Sequence, residues 1–352
     1  MSVPRNNTID IARGAGIILV VLGHNWIITH NHGELYRIIF SFHMPLFFFL
    51  SGVVFKSNSS FGSFFISRAD ALIKPYFVVL SVWGLARIAI AAATWQPYFS
   101  GVLYATGNTI EWVPLWYLPH LFICLLAVFA ICKLLKQLPQ QQRFIATCLL
   151  AILLLSLGNF SLMWAQNLQN LDWQDVNFLF NDHQSGFPGL PWSLDLLGIS
   201  SAFILLGVAC QSAVAKFHFQ QYWFALVLGI FVSLHWFFDE TMDLHLRHYG
   251  HFWISTAQAL SGIYLLLSLA FVLQKWPDIA RILAYIGQGS LFILIFHSWT
   301  EWKIFSLMAK VSASDDLNAI PALLGGVLLP LGLLALVKRR PLFSALLLPR
   351  QR

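Results

Sequence analysis

The sequence predicts an all-α fold: a polytopic membrane helical bundle of about ten transmembrane helices, with both termini cytoplasmic. Of its 352 residues, 58% are hydrophobic and only 10% are charged, whereas a soluble domain carries about 25% charged residues. Apolar stretches long enough to span a membrane recur along the whole chain, with no internal repeat or low-complexity linker. This composition excludes a soluble enzyme, a disordered tail, a coiled coil and a disulfide scaffold.

Ten apolar runs are candidate spans, because a spanning helix needs about 20 mostly apolar residues. They cover approximately 9–28, 38–55, 72–92, 115–136, 143–160, 193–213, 221–238, 252–274, 282–300 and 319–337. Every break between successive runs carries Pro, Gly, Asn, Ser or charged residues, as turns and loops do. We therefore treat residues 1–352 as a single integral-membrane domain, with spans over about 9–337 and a cytoplasmic basic tail over 338–352.

Basic residues are distributed unequally between the two sides that ten spans define. Sixteen of the 21 Lys and Arg residues fall on the side of both termini, and only Arg37, Arg247, Lys303 and Lys310 fall on the other. Because cytoplasmic loops are rich in Lys and Arg, both termini are expected in the cytoplasm. The net charge of +6 thus reflects topology and attraction to anionic lipid headgroups. It gives no argument for a nucleic-acid partner.

The first run carries two ionisable residues, Arg13 and His24. Ionisable residues inside a span are costly and are therefore candidates for a functional site. Eleven residues at about 100° each bring both side chains to one helix face, about 16 Å apart along the axis. Asp10 lies one turn before Arg13 and can pair with it at i and i+3. The first helix thus holds a cation near the cytoplasmic leaflet and an imidazole near the outer leaflet.

Two more histidines and one carboxylate are expected at the depth of His24. His43 lies near the outer end of the second run, His297 near the outer end of the ninth, and Asp195 opens the sixth on the same side. An imidazole that titrates near neutrality and a group that orients it are what general-base catalysis needs. The alternative, a histidine that only makes a contact between helices, stays open for His43 and His297.

Two outer loops contain acidic residues or histidines that are further candidates. The segment 161–192 holds Asp172, Asp175 and Asp182 without Lys or Arg, and it either binds a sugar acceptor or caps the membrane surface. Histidines recur every third residue over 245–251, but Arg247 lies among them and no Cys joins them. This pattern favours a solvated loop over a metal site, so no metal ion is expected.

Several motifs are spread from residue 7 to about 297. They are Asn7-Thr8-Ile9-Asp10-Ile11-Ala12-Arg13-Gly14 with His24, Phe42-His43-Met44-Pro45-Leu46-Phe47-Phe48-Phe49-Leu50-Ser51-Gly52, Lys74-Pro75-Tyr76, Leu115-Trp116-Tyr117-Leu118, and Tyr285-Ile286-Gly287 with His297. Together they resemble the acyltransferase-3 family of bacterial inner-membrane O-acyltransferases, and among its subgroups the fucose-4-O-acetylase-like set. One departure concerns the family's Arg-x-x-Arg before Pro-Tyr: here Arg68 is followed by Ala71 in the second position, with Lys74 nearby.

The resemblance implies a multi-pass enzyme of the bacterial inner membrane. It would move an acyl group, expected to be acetyl, from cytoplasmic acyl-CoA to a hydroxyl of a cell-envelope sugar or polysaccharide. Acetyl-CoA would be a co-substrate, and the acceptor a glycan or a lipid-linked sugar. His24 would be the general base, Asp10 would orient Arg13, and Arg13, Arg68 and Lys74 would hold the CoA phosphates by charge-assisted hydrogen bonds.

The remaining candidates concern the acceptor and the oxyanion. His43, Asp195 and His297 would orient His24 or the acceptor, while Trp116 and Tyr117 are candidates for acceptor contacts. Trp116, Tyr117 and Ser51 are also candidate donors to the oxyanion by their chemistry alone. A transporter or flippase of a lipid-linked glycan is the main alternative, since a substrate pathway also needs polar groups inside a bundle; a membrane sensor or scaffold is a third.

Overall fold

The computed structural model describes residues 7–30, 32–168, 171, 173 and 186–350. Asp172, Asp175 and Asp182 of the outer segment lie outside the described residues. In the described part almost all regular structure is helical, and two short strands, β1 (Met242–Asp243) and β2 (His248–Tyr249), pair antiparallel. The prediction of an all-α helical bundle is confirmed.

The helices are numbered here in chain order. Helices α1 to α8 are Asn7–His24, Trp26–Thr29, Glu34–Val53, Phe61–Arg68, Lys74–Ala89, Trp95–Tyr104, Tyr117–Leu135 and Gln140–Leu168. Helices α9 to α16 are Leu197–Ala209, Gln211–Ala215, Gln221–Phe237, Phe252–Leu273, Pro277–Gln288, Ser290–Met308, Asp315–Arg339 and Pro341–Leu347. A π-helix over Ala69–Ile73 leads into α5, and 3-10 turns over Val113–Trp116 and Pro191–Leu196 lead into α7 and α9.

Within the described residues, seven helical segments are long and apolar enough to cross a membrane. They are Glu34–Val53, Phe61–Ala89, Val113–Leu135, Gln140–Leu168, Pro191–Ala209, Phe252–Leu273 and Asp315–Arg339. Helices α13 and α14 pass the same test together but bend by 78°, which gives up to eight spans if they form one. The other two predicted runs correspond to α1, with 18 residues, and α11, with 17. The chain is a multi-pass membrane protein, while the number ten and the side of the termini stay predictions.

Helix α8 continues beyond the predicted end of the fifth run. Residues 161–168, expected in the outer segment, are helical up to Leu168. No Pro or Gly interrupts this stretch, and Gly158, Leu162 and Ala165 continue a buried stripe at helical spacing. Because its buried face continues, α8 extends beyond residue 160, where the apolar run was predicted to end.

The described chain forms two compact units, each built from separate stretches of sequence. The first unit comprises Met1–Val53, Cys210–Asp243 and His248–Leu336, and the second comprises Val54–Ala209, Leu244–Arg247 and Val337–Arg352. In the first unit α1 packs against α3, α12, α13 and α14, and in the second α8 packs along α9. Helix α1 is thus the central element of the first unit.

Two glycines bring α1 and α13 into backbone contact. A Cβ atom on Gly14 would lie 2.0 Å from the carbonyl oxygen of Leu283, and one on Gly287 would lie 2.0 Å from that of Asp10. No side chain larger than hydrogen fits at either place without separating the helices. This contact fixes the part of α1 that carries Asp10 and Arg13.

Candidate active site

Three histidines from three helices meet in the first unit. The ring centroid of His24 lies 6.2 Å from that of His43 and 5.6 Å from that of His297. His43 and His297 are 3% and 1% exposed, whereas His24 is exposed. The structure therefore brings together three of the predicted site residues, of which only His24 is exposed.

The hydrogen bonds of these imidazoles define which nitrogen carries the proton. Nδ1 of His24, His43 and His297 lies 2.8, 2.9 and 3.0 Å from the carbonyl oxygen four residues earlier in its own helix. Because a carbonyl oxygen only accepts, Nδ1 is the protonated nitrogen of each neutral ring. Nε2 is then the nitrogen with a free lone pair, which is the atom that a general base uses.

Aromatic side chains of α3 pack against this histidine cluster. The ring of Phe40 lies 5.6 Å from that of His24 and 4.7 Å from that of His43, and Tyr36 stacks on Phe40 at 4.1 Å. Aromatic pairs at such distances contribute about 0.5–1.5 kcal/mol each beyond the burial of their area. The cluster is thus held by packing as well as by hydrogen bonds.

The other two candidates on α1 lie toward its N-terminal end. Helix α1 runs unbroken from Asn7 to His24, so the spacing that puts Arg13 and His24 on one face holds along its length. Asp10 is 4% exposed and Arg13 is half-buried. The contact between Gly14 and α13 lies directly beside them.

The predicted phosphate ligands Arg68 and Lys74 lie in the second unit, on either side of the π-helix Ala69–Ile73. A π-helix is rare and is frequently found at functional sites. Lys74 Nζ donates to Asp70 Oδ1 at 2.8 Å and to the Leu348 carbonyl oxygen at 2.6 Å. Nε of Arg68 is buried without a hydrogen-bond partner. Arg68 therefore has a donor to offer an anion, whereas Lys74 already holds two acceptors.

Asp195 lies in the second unit, where it forms a buried ion pair. Its Oδ2 is 3.0 Å from Nε of Arg247, and the two side chains are 0% and 1% exposed. Arg247 also donates to the carbonyl oxygen of His245 at 2.7 Å, and Asp195 Oδ1 accepts from the N–H of Leu190 at 2.9 Å. The histidine-containing loop was predicted to be solvated. This prediction is wrong for Arg247, which is buried because the carboxylate of Asp195, 52 residues earlier, compensates its charge. A role of Asp195 toward His24 stays a prediction.

Trp116 and Tyr117 lie where the 3-10 turn passes into α7, and they are 5% and 6% exposed. The Trp116 ring lies 5.5 Å from that of His120 and 6.2 Å from that of His245. Ser51, the third candidate donor to the oxyanion, donates its hydroxyl to the Phe47 carbonyl oxygen at 2.8 Å. Contacts of these residues with a substrate stay predictions.

One buried acidic residue on α14 was not among the predicted site residues. Glu301 on α14 is 7% exposed, and its Oε1 accepts from Nδ2 of Asn25 at 2.8 Å. Its position four residues after His297 puts the two on one helix face, and this spacing was the signal available in the sequence. Among the residues that the structure describes, no group of three or more His, Cys, Asp or Glu has the geometry to hold a metal ion.

Fold and site together define a multi-pass helical membrane protein with an exposed histidine backed by two buried ones. The family model of an acyltransferase domain, acyltransferase-3, matches residues 6–338. The chain therefore belongs to the acyltransferase-3 family and is a membrane acyltransferase; this match does not favour the transporter alternative. Comparison with curated proteins and with solved structures found no match.

Proposed function

We propose that this protein is an O-acetyltransferase of the fucose-4-O-acetylase-like subgroup in the bacterial inner membrane. It moves an acetyl group from cytoplasmic acetyl-CoA to a hydroxyl of a cell-envelope sugar or polysaccharide. The observation that carries the proposal is the exposed His24, whose Nδ1 is bonded to the Val20 carbonyl oxygen and whose Nε2 is thereby left as a base. The acyltransferase domain family supplies the reaction class.

In the proposed reaction, Nε2 of His24 removes the proton of the acceptor hydroxyl as its oxygen attacks the thioester carbon. The C–O bond forms and the C–S bond breaks, and the leaving CoA thiolate takes the proton from Nε2 of His24, which becomes neutral again. His43 and His297, whose rings lie next to that of His24, orient His24 or the acceptor. The products are the O-acetylated sugar and free CoA, so the proton and the acetyl group are both accounted for.

Donor binding is assigned to basic side chains. Arg13, about 16 Å along α1 from His24 by helix rise, binds a phosphate of CoA, and Asp10 orients it. In the second unit, Arg68 with its unpartnered Nε offers a separate donor to an anion, while Lys74 is already paired with Asp70. The long arm of acetyl-CoA suits the distance of about 16 Å between Arg13 and His24. With a phosphate bound at Arg13, the thioester at the other end of the arm can reach His24.

The test uses transfer of labelled acetyl from acetyl-CoA to the membrane glycan fraction by the purified full-length protein. His24→Ala is expected to lower kcat by about 10²- to 10⁴-fold, the usual contribution of a general base. His218→Ala, which removes an exposed histidine outside the cluster, is the matched control and should retain the wild-type rate. Wild-type activity of His24→Ala would exclude His24 as the base.

A second pair of variants examines the donor site. Arg13→Ala is expected to raise KM for acetyl-CoA by about tenfold or more, because it removes a charge-assisted hydrogen bond to phosphate. Arg281→Ala, which removes an exposed arginine of α13, is the control. An unchanged KM in Arg13→Ala would contradict the role of Arg13 in binding phosphate.

A further inference from the structure

The C-terminal segment, residues 341–350, is a part of the second unit that the proposed reaction does not use. The family match ends at residue 338, but the chain continues through α16, which packs against α5. The residues after α16 contact the π-helix Ala69–Ile73 and the first residue of α5. The family match therefore does not account for this contact.

A ring of hydrogen bonds holds the C-terminal segment at the π-helix. Arg350 donates its backbone N–H to Oδ2 of Asp70 at 2.6 Å, and the carbonyl oxygen of Leu348 accepts from Nζ of Lys74 at 2.6 Å. Lys74 Nζ also donates to Oδ1 of Asp70 at 2.8 Å, which closes the ring. Hydrogen bonds to charged groups are about twice as strong as those between neutral groups. The backbone of Arg350 is therefore fixed beside the π-helix.

Cations outnumber carboxylates among the side chains of this contact. Arg68 directly precedes the π-helix and Lys74 directly follows it, so the two lie about 9 Å or less from each other along the helix axis. The charge of Arg350 acts on the carboxylate of Asp70. Three cations thus share one carboxylate, and this excess of positive charge attracts an anion.

These cations also have hydrogen-bond donors to offer. Within the described residues, Nε of Arg68 is buried without a hydrogen-bond partner, and its guanidinium lies 5.2 Å from the centroid of the Phe64 ring. A buried donor without an acceptor is costly, so an anion bound here would relieve that cost. The ammonium of Lys74 has three N–H donors, of which the ring uses two. The ring engages Arg350 through its backbone alone, and this residue is exposed.

We propose that the C-terminal segment completes a phosphate-binding site of the second unit. Arg68, Lys74 and Arg350 bind one phosphate group there, and Asp70 holds Arg350 in place. Guanidinium groups match the geometry of phosphate oxygens, and an ammonium adds a point charge. The phosphate belongs either to CoA or to a phospholipid headgroup, since the excess of basic residues predicts this end of α5 on the cytoplasmic side. The inference goes beyond the proposed function and does not require His24 to be the base.

The experiment measures binding of two probes to the purified full-length protein in neutral detergent. Acetyl-CoA is titrated by calorimetry, and phosphatidylglycerol is titrated by native mass spectrometry. Arg350→Gln keeps the backbone N–H that Asp70 accepts but removes the guanidinium. We expect it to raise Kd for one of the two probes by about tenfold, because one charge-assisted hydrogen bond to phosphate is lost. Arg281→Gln, which removes an exposed arginine of the first unit, is the charge-matched control and should keep the wild-type Kd.

Variants of Asp70 separate its anchoring role from its charge. Asp70→Asn keeps an oxygen that accepts from Arg350 and removes a negative charge, so the Kd should equal that of wild type or be lower. Asp70→Ala removes the acceptor as well and releases Arg350, so the Kd should rise toward the value of Arg350→Gln. A purely electrostatic role of Asp70 would instead lower the Kd in both variants. Thermal unfolding of each variant verifies that it is folded.

Each outcome decides a separate part of the proposal. Weaker binding of acetyl-CoA by Arg350→Gln supports the site with CoA as the source of the phosphate, and weaker binding of phosphatidylglycerol supports it with a lipid as the source. Wild-type Kd values for both probes in Arg350→Gln overturn the site, as does a wild-type protein that binds neither probe. A lower Kd in Asp70→Ala overturns the anchoring role of Asp70. Absence of acetyl transfer by the wild-type protein contradicts the proposed function and leaves this site intact.

Discussion

Side-chain hydrogen bonds to the helix backbone determine the chemistry of the histidine cluster at the scale of single residues. The bond from Nδ1 to a carbonyl oxygen of the same helix recurs in His24, His43 and His297. It leaves Nε2 as the basic atom in each ring, while burial differs: His24 is exposed and the other two are not. One histidine of the cluster is therefore accessible while the other two lie buried beside it.

A second residue-scale feature, the ion pair of Asp195 and Arg247, should contribute strongly to stability. Both side chains are almost fully buried, so removing one partner leaves an uncompensated charge. We expect Asp195→Ala and Arg247→Ala each to lower the free energy of unfolding by about 3–5 kcal/mol. The loss should be measurable as a lower midpoint of thermal unfolding in detergent.

The exposed pair Asp278 and Arg281 provides the control for this prediction. Its side chains are 87% and 77% exposed, and exposed pairs contribute little, so Arg281→Gln should leave the midpoint unchanged. Replacement of both buried partners, Asp195→Leu with Arg247→Met, should lower the free energy of unfolding less than either single change to Ala, because no charge is left unpaired. Equal midpoints of wild type and Arg247→Ala would refute the assignment.

At the scale of elements, the position of α1 depends on its contact with α13. Gly14 and Gly287 each face a backbone carbonyl oxygen of the other helix at a distance that no Cβ atom tolerates. Helices in membranes commonly use small residues in this way to approach closely. The segment of α1 with Asp10 and Arg13 is thereby fixed against a neighbouring backbone.

The glycine contact gives a prediction with a simple control. Gly287→Ala should lower the free energy of unfolding by about 1–3 kcal/mol, because the helices must separate to admit the methyl group. Gly229→Ala on α11, where an added Cβ would have no neighbouring atom within 4 Å, should have little effect. Thermal unfolding of the two purified variants checks the difference, and similar midpoints for both would contradict the contact.

At the scale of the whole molecule, the apolar runs predicted where the long helices lie but not which distant side chains pair with one another. All ten runs overlap helices, because hydropathy reports burial in lipid directly. The predicted common depth of His24, His43 and His297 in the first, second and ninth runs agrees with their ring distances in the structure. The ion pair of Asp195 with Arg247 could not be predicted, because nothing in local periodicity indicates which distant charges will pair. Glu301 was missed although its spacing of four residues from His297 was visible, because its partner Asn25 lies 276 residues earlier.

The orientation of the chain is a whole-molecule prediction that labelling can test. In a variant whose four cysteines are replaced by alanine, single cysteines are introduced at Asn58, Ser212 and Ser314. The excess of basic residues places Asn58 and Ser212 in the cytoplasm and Ser314 outside. A membrane-impermeant maleimide added to intact cells should therefore label only Ser314→Cys. Labelling of Asn58→Cys or Ser212→Cys would contradict the predicted orientation.

The discontinuous make-up of the first unit has a consequence for biosynthesis. His24 belongs to the first stretch of that unit, and His297 to the last. At roughly 5–20 residues per second, the ribosome needs on the order of 15–50 s to extend the nascent chain from one to the other. During that time α1 lacks its contacts with α12, α13 and α14, which are synthesised later. The histidine cluster is therefore complete only in the finished polypeptide, and a chain stalled before α14 would lack His297.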